Sequence, residues 1–431
     1  MRECRPNSLF SAKALWTAVS LVSLLLQLIL APSLLAQEEE ADFAAPTPKE
    51  NSNQQKIELP LPVTGHFDSA TVEIDRVVTA YMTERAVPGA AVAITRGGKL
   101  VYAKGFGYSD LENKEAVQPD SLFRIAGVSK AITQATILQL VQRGHLGLND
   151  KVFELLKIKP LTEAGKEMDP RIYDITIGDL LDHRSGWDTK LANRNLMFHQ
   201  EAIATAFGVK PPPNSEQMIS YAMGQALGHD PGTTFSYSNL DYILLGHVVE
   251  EVTRQPYAKY AHENILRSIG ILDMRLGNSQ LNGRAGNEVK YYAADGEKSP
   301  SIMASERGKL VPVQYGGWCL ETMDASDGWI ASAIDLARFA SAFEYSEEFA
   351  ALKGELMRSR FHPGYSQIGC LPGSSSIMII SRKFPDTCWA ILFNSNSARP
   401  SEINERLVKA MEAVTTWPEY DLFERYLESA R

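Results

Sequence analysis

The 431 residues are 44% hydrophobic and carry a formal charge of −9, ordinary for a chain that can bury a large core. The acidic balance, with no long Lys/Arg run against it, argues against a nucleic-acid partner. Neither CxxC nor HExxH occurs, so no metal site is expected and no cofactor is called for.

Residues 1–36 read as an export signal. Arg2, Arg5 and Lys13 give a basic start, residues 14–36 form an uncharged apolar run, and Pro32 precedes the small Ala36. The run is long for a signal, which leaves two outcomes open: cleavage after Ala36, or retention as a membrane anchor. Either way the rest of the chain is expected outside the cytoplasm, in the periplasm or medium, soluble or tethered. Cys4 leaves with a cleaved signal. Cys319, Cys370 and Cys388 then admit at most one internal disulfide, with the pair undecided. Residues 37–66, rich in Glu, Gln, Asn and Pro, read as a flexible linker, and 67–431 as one domain.

Val72, Ile74, Val77, Val78 and Tyr81 recur at helical spacing and predict a helix over 71–85, ended by Pro88-Gly89. Strands at 90–95 and 100–106 flank Gly97-Gly98, a hairpin signal. A strongly apolar helix follows over 132–143, stopped by Gly144, and helical patterns return at 214–226, 240–253 and 334–343. Two β-prone runs, 376–382 and 388–394, surround Lys383-Phe384-Pro385-Asp386, and an amphipathic helix spans 402–415. Strands at both ends with helices between predict one α+β unit. Its antiparallel sheet is built from N- and C-terminal strands, flanked by helices, with a mostly helical middle region.

Three short segments hold the candidate chemistry. Gly127 and Lys130, in Phe123-Arg124-Ile125-Ala126-Gly127-Val128-Ser129-Lys130, are three apart and share one face of a helix. Tyr237-Ser238-Asn239 follows Pro231-Gly232 and opens the helix at 240. Gln367-Ile368-Gly369 runs into Cys370-Leu371-Pro372-Gly373. Taken singly, Lys130 is a surface charge, Tyr237 a core aromatic, Asn239 a helix cap and Gln367 an edge-strand polar residue.

Taken together, and with Leu180-Leu181-Asp182-His183-Arg184-Ser185-Gly186-Trp187, Met274-Arg275-Leu276-Gly277 and Gly328-Trp329-Ile330-Ala331-Ser332, they resemble the penicillin-recognising serine hydrolases. That superfamily includes class C β-lactamases, D-alanyl-D-alanine peptidases and related esterases. The likeness runs from about 70 to 414 and implies the same α+β architecture. In the family the first segment reads Ser-x-x-Lys, and the lysine helps remove the serine proton. Here the serine position is Gly127, which can be neither acylated nor deprotonated. The resemblance places Lys130 and Tyr237, its phenolic partner, as catalytic residues. It places Gly127, Asn239, Gln367 and Gly369 around a bound ligand, with the Gly127 N–H as an anion-binding donor. The family's basic or imidazole residue of Lys-Thr-Gly or His-x-Gly is replaced by the neutral Gln367. Ser129 stands about 200° around the helix from Gly127 and faces away; Ser185 and Ser238 lack the helix-start geometry. The expected protein is an exported, catalytically impaired homologue that binds a small-molecule or peptide ligand of ester or cell-wall type. Two alternatives remain open: a working amide or ester hydrolase in which water or another nucleophile attacks with Lys130 or Tyr237 as base, and a non-catalytic envelope scaffold. Oligomeric state is not legible in the sequence.

Overall fold

The computed structural model describes residues 60–162, 167–189, 196–346, 349, 352 and 365–427. The export signal read at 1–36 and the linker as far as residue 59 lie outside the described residues. The sheet begins inside the remainder of that linker, because β1 (Val63–Gly65) pairs antiparallel with β3 (Lys99–Asp110). Between them, β2 (Gly89–Arg96) turns into β3 through Gly97-Gly98, with φ of 55° and 78°. Positive φ at both central residues is what a type I′ two-residue hairpin turn requires.

Beyond a short β4 (Glu115–Ala116) on β3, the sheet waits for the end of the chain. The strands β10 (Tyr365–Leu371), β11 (Ser374–Ile380) and β12 (Thr387–Phe393) complete the order β1-β3-β2-β12-β11-β10, antiparallel throughout. The seam runs from Thr387 opposite Arg96 to Phe393 opposite Ala90, so the expected closure by N- and C-terminal strands is present. The short strands β5 (Phe123–Arg124), β6 (Arg275–Leu276) and β9 (Trp329–Ala331) form a second sheet in the order β5-β9-β6. A hairpin of β7 (Lys298–Pro300) and β8 (Leu310–Pro312) stands apart. None of these short strands carries enough residues to show an alternating pattern.

Alternation along the long strands divides the core in two. Val92, Ile94, Ile377, Ile379, Trp389, Ile391 and Phe393 face helices α1 (Val72–Arg85) and α7 (Pro400–Glu412), which contribute Ile74, Val78, Tyr81, Ile403 and Leu407. The opposite face, with Ala91, Ala93, Met378, Ala390 and Leu392, packs against the helical region. There lie α2 (Ser129–Gln142), α3 (Ser215–Met223), α4 (Asn239–Thr253), the short α5 (Asp324–Asp327) and α6 (Ala333–Tyr345). Each expected helix is present within a few residues of its predicted ends. Among the described residues no helix is long and apolar enough to cross a membrane, and none of Cys319, Cys370 and Cys388 is joined in a disulfide.

A capping box starts α6: Asp335 N donates to Ser332 Oγ at 3.0 Å, and Ser332 N donates to Asp335 Oδ2 at 3.2 Å. The Ser332→Ala variant is expected to lose about 1 kcal/mol of stability, read as a lower urea midpoint with unchanged slope. Full retention of the midpoint overturns that assignment.

Candidate functional site

The turn that leads into α2 is held from three sides. Arg124 on β5 lies opposite Ile330 of β9, and Ile125 N donates to Trp329 O at 3.1 Å. Ser376 on β11 donates its hydroxyl to Ile125 O at 2.7 Å. Ser129 Oγ accepts from Trp329 N at 3.2 Å, so this serine is spent on anchoring β9 and is fully buried. Arg124 is itself enclosed: its guanidinium donates to Gln314 O and Asn278 O and lies 4.4 Å from the Tyr291 ring centroid. Within the turn, Ala126 takes φ +46°, a left-handed conformation that costs an L-residue energy and persists where surroundings enforce it.

Part of that enforcement comes from β10. A Cβ on Gly369 would stand 2.3 Å from Ile125 O and 2.7 Å from Gly127 N, so the strand backbone lies directly on the turn, as expected for a glycine at a close approach. Gln367 shares the Gly369 face of β10 with Tyr365, whose phenol donates to Gln134 Oε1 at 3.2 Å. Cys370 lies on the opposite face with Ile368, packed toward α1 and α7. Its thiol is thereby directed away from Gly127.

Lys130 is 3% exposed. Its Nζ donates to Ser326 O at 3.2 Å and to Asp327 Oδ1 at 3.4 Å, and Asp327 is equally buried. The other carboxylate oxygen of Asp327 accepts from Ser326 Oγ at 2.7 Å. The aromatic contacts are face-on: Nζ lies 5.0 Å from the Tyr237 ring centroid and 5.8 Å from that of Tyr242. The structure therefore joins Lys130 to Tyr237 through the ring, whereas the resemblance implied a phenol–amine contact. Asp327 was missed by sequence reasoning. It directly precedes Gly328-Trp329-Ile330-Ala331-Ser332, and an acid at the edge of a recognised block was the available signal.

Tyr237 is positioned by the segment read as supporting the site. The His183 ring packs 4.8 Å from that of Tyr237 and 5.1 Å from that of Tyr242. His183 Nδ1 lies 3.2 Å from Asp241 Oδ2 at the start of α4. Burial pushes the Asp241 carboxyl up, against the His183 contact that pulls it down. Ser185 and Ser238 are buried nearby, and Ser185 Oγ has no hydrogen-bond partner. Asn239, the first residue of α4, is 7% exposed and its Oδ1 has no hydrogen-bond partner. Among the described residues no three His, Cys, Asp or Glu side chains are grouped to hold a metal.

The fold is that of the penicillin-binding-protein and β-lactamase class. The octameric penicillin-binding protein homologue from Pyrococcus abyssi superposes with a TM-score of 0.61 at 22% identity, over 83% of this chain and 80% of that one. The Beta-lactamase family profile matches residues 74–405, and the chain belongs to the beta-lactamase family. Penicillin-binding protein 4* of Bacillus subtilis (strain 168) is 25% identical over 363 residues, 78% of this chain and 74% of that protein. Protein flp of Staphylococcus aureus (strain N315) is 29% identical over 225 residues, 52% of this chain. That match spans 41% of flp's own length.

Two measurements check this geometry. Gly369→Ala drives a methyl into backbone atoms and is expected to cost about 1–3 kcal/mol. Gly286→Ala, where a Cβ meets nothing within 4 Å, is expected to change stability by less than about 0.5 kcal/mol. Equal urea midpoints for the two variants would contradict the close approach of β10. The second concerns Asp324, which opens α5: burial pushes its carboxyl from 3.8 up to about 6, with the Ala325 N–H opposing and Glu250 adding to the rise. The folded state therefore holds this proton more tightly than the unfolded chain. Stability falls as pH rises from about 4 to about 6 and stays lower above. Asp324→Asn is expected to gain about 1–2 kcal/mol at about pH 8 and nothing below about pH 4; a gain equal at both pH values refutes the shift.

Proposed function

We propose that this chain is an exported, non-acylating member of the beta-lactamase family whose pocket binds a small-molecule, peptide or ester ligand of cell-wall type without cleaving it. One observation carries the reading: the acceptors of the Lys130 ammonium are the Ser326 carbonyl and the Asp327 carboxylate. The serine position of the family is Gly127. Covalent catalysis needs a nucleophile and a base within hydrogen-bond reach of each other, and here one is missing and the other is engaged. Ser129 is held by Trp329 N, Cys370 lies on the opposite face of β10, and neither the Ser185 nor the Ser238 hydroxyl is among the partners of Lys130. Removing a nucleophile that works as part of a set costs about a millionfold in turnover.

Retention of Lys130, Tyr237 and Asn239 together favours a binding pocket over a purely structural scaffold, which has no need of that trio. Direct attack by water would need a proton acceptor facing the Gly127 space. Lys130 is turned to Asp327, which supports binding over hydrolysis. The apolar run at 14–36 supports export, by a cleaved signal or a retained tether.

The test is covalent labelling. A fluorophosphonate and a reactive β-lactam probe are expected to leave the purified wild-type chain unlabelled, with mass spectrometry as the readout. Gly127→Ser is expected to acquire slow labelling at the new hydroxyl. Wild-type labelling approaching one adduct per chain overturns the reading.

A further inference from the structure

We infer that Asp327 makes the pocket selective for uncharged, amide-bearing ligands, by supplying from inside the protein the negative charge that Lys130 would otherwise seek in a ligand. The inference rests on the binding-pocket reading above and deepens it.

Charge is the first ground. Lys130 and Asp327 are 3% exposed each, with Nζ 3.4 Å from Oδ1, so at the distance of a bound ligand their fields largely cancel. An unpaired ammonium about 5 Å from a carboxylate, at an effective dielectric near 20, favours that anion by more than tenfold; the paired one does not. Asp327 is also held on its second oxygen by the Ser326 hydroxyl, which fixes the carboxylate against the amine. An incoming carboxylate would have to displace it or leave it buried and unpaired, and breaking a buried pair from one side is strongly unfavourable.

The strand on the other side of the turn gives the second ground. Gln367 shares the face of β10 that lies on Gly127 and carries no charge; Tyr365, on the same face, donates its phenol to Gln134 Oε1 at 3.2 Å. Gln134 is one helical turn beyond Lys130 on α2. The β10 side of the site is therefore neutral. Arg124, the other cation close to the turn, spends its guanidinium on Gln314 O and Asn278 O. Its Nε is unbonded, and the whole side chain is fully buried against the Tyr291 ring.

The third ground is the group still asking for a partner. Asn239 Oδ1 is buried and unbonded, and an amide N–H from a ligand satisfies it, whereas a carboxylate oxygen repels it. Cancelled charge, a neutral strand and an unfilled amide point to the same ligand chemistry.

The experiment uses a panel of N-acetyl dipeptides of both hands, each made as the C-terminal amide and as the free acid, with binding to the chain read by titration calorimetry. Amides are expected to bind roughly tenfold tighter than the matching acids. In Asp327→Asn the acids gain and the ratio falls below about twofold. In Lys130→Met/Asp327→Leu, where both charges go, the amide preference returns. Acids binding as tightly as amides in the wild type, an unchanged ratio in Asp327→Asn, or no binding by any panel member overturns the inference. Should Asp327→Asn fail to fold, the double variant decides alone: loss of the amide preference there sinks it. Product release from the same peptides, followed by mass spectrometry, would instead refute the non-cleaving reading and leave the selectivity as measured.

Discussion

A buried ammonium has to be answered, and the way Lys130 is answered organises the centre of this molecule. Its partners come from α5, which runs directly into β9. β9 pairs with β5, and β5 leads through the strained turn at Ala126 and Gly127 back to Lys130. The ion pair thus closes a ring of chain in which residues 124–130 and 326–331 hold each other. Ser129 bonding to Trp329 N sits within the same ring. Removing one charge would leave the other stranded in an apolar interior, a far larger penalty than the pair's own net contribution.

This arrangement accounts for why the turn keeps a costly backbone without the nucleophile it presents in relatives. Ala126 stays left-handed because β9 holds Ile125 from one side, Ser376 holds its carbonyl from another, and β10 presses Gly369 against the turn. Strain of this kind survives wherever neighbours over-determine it, whether or not the chemistry it serves remains. The geometry of the site is therefore a property of the fold as a whole. The absent hydroxyl is a change in one side chain within it.

What the sequence made legible follows the range of the interactions. The hairpin at Gly97-Gly98, the helices and the terminal strands rest on local turn chemistry and periodicity, and each is present. The short strands β5, β6 and β9 depend on partners far along the chain and left no local pattern. Their residues were noticed through the family blocks and not as strands. Lys130, Tyr237 and Gly369 were found by motif and do converge on the turn. Asp327, 197 residues beyond Lys130, has a role that exists only once the chain has folded. The same is true of His183 against Asp241, 58 residues apart. The segment around His183 was read as support for the site, but its grip on Tyr237 depends on ring packing that spacing cannot report. The linker boundary at 66 came from composition, and composition does not register a three-residue edge strand such as Val63–Gly65.

The loss of the hydroxyl and the engagement of the amine are better understood together than apart. A lysine left beside an empty serine position would be a buried charge without its working partner. Such a site either loses the lysine or acquires an acid to face it. Here it has an acid, set in α5 and fixed by its neighbour's hydroxyl. With that acid in place, the amine donates to Ser326 O and to Asp327. On the non-cleaving reading proposed above, the same side chain that occupies the amine lets a buried lysine remain in a pocket without acyl chemistry to perform.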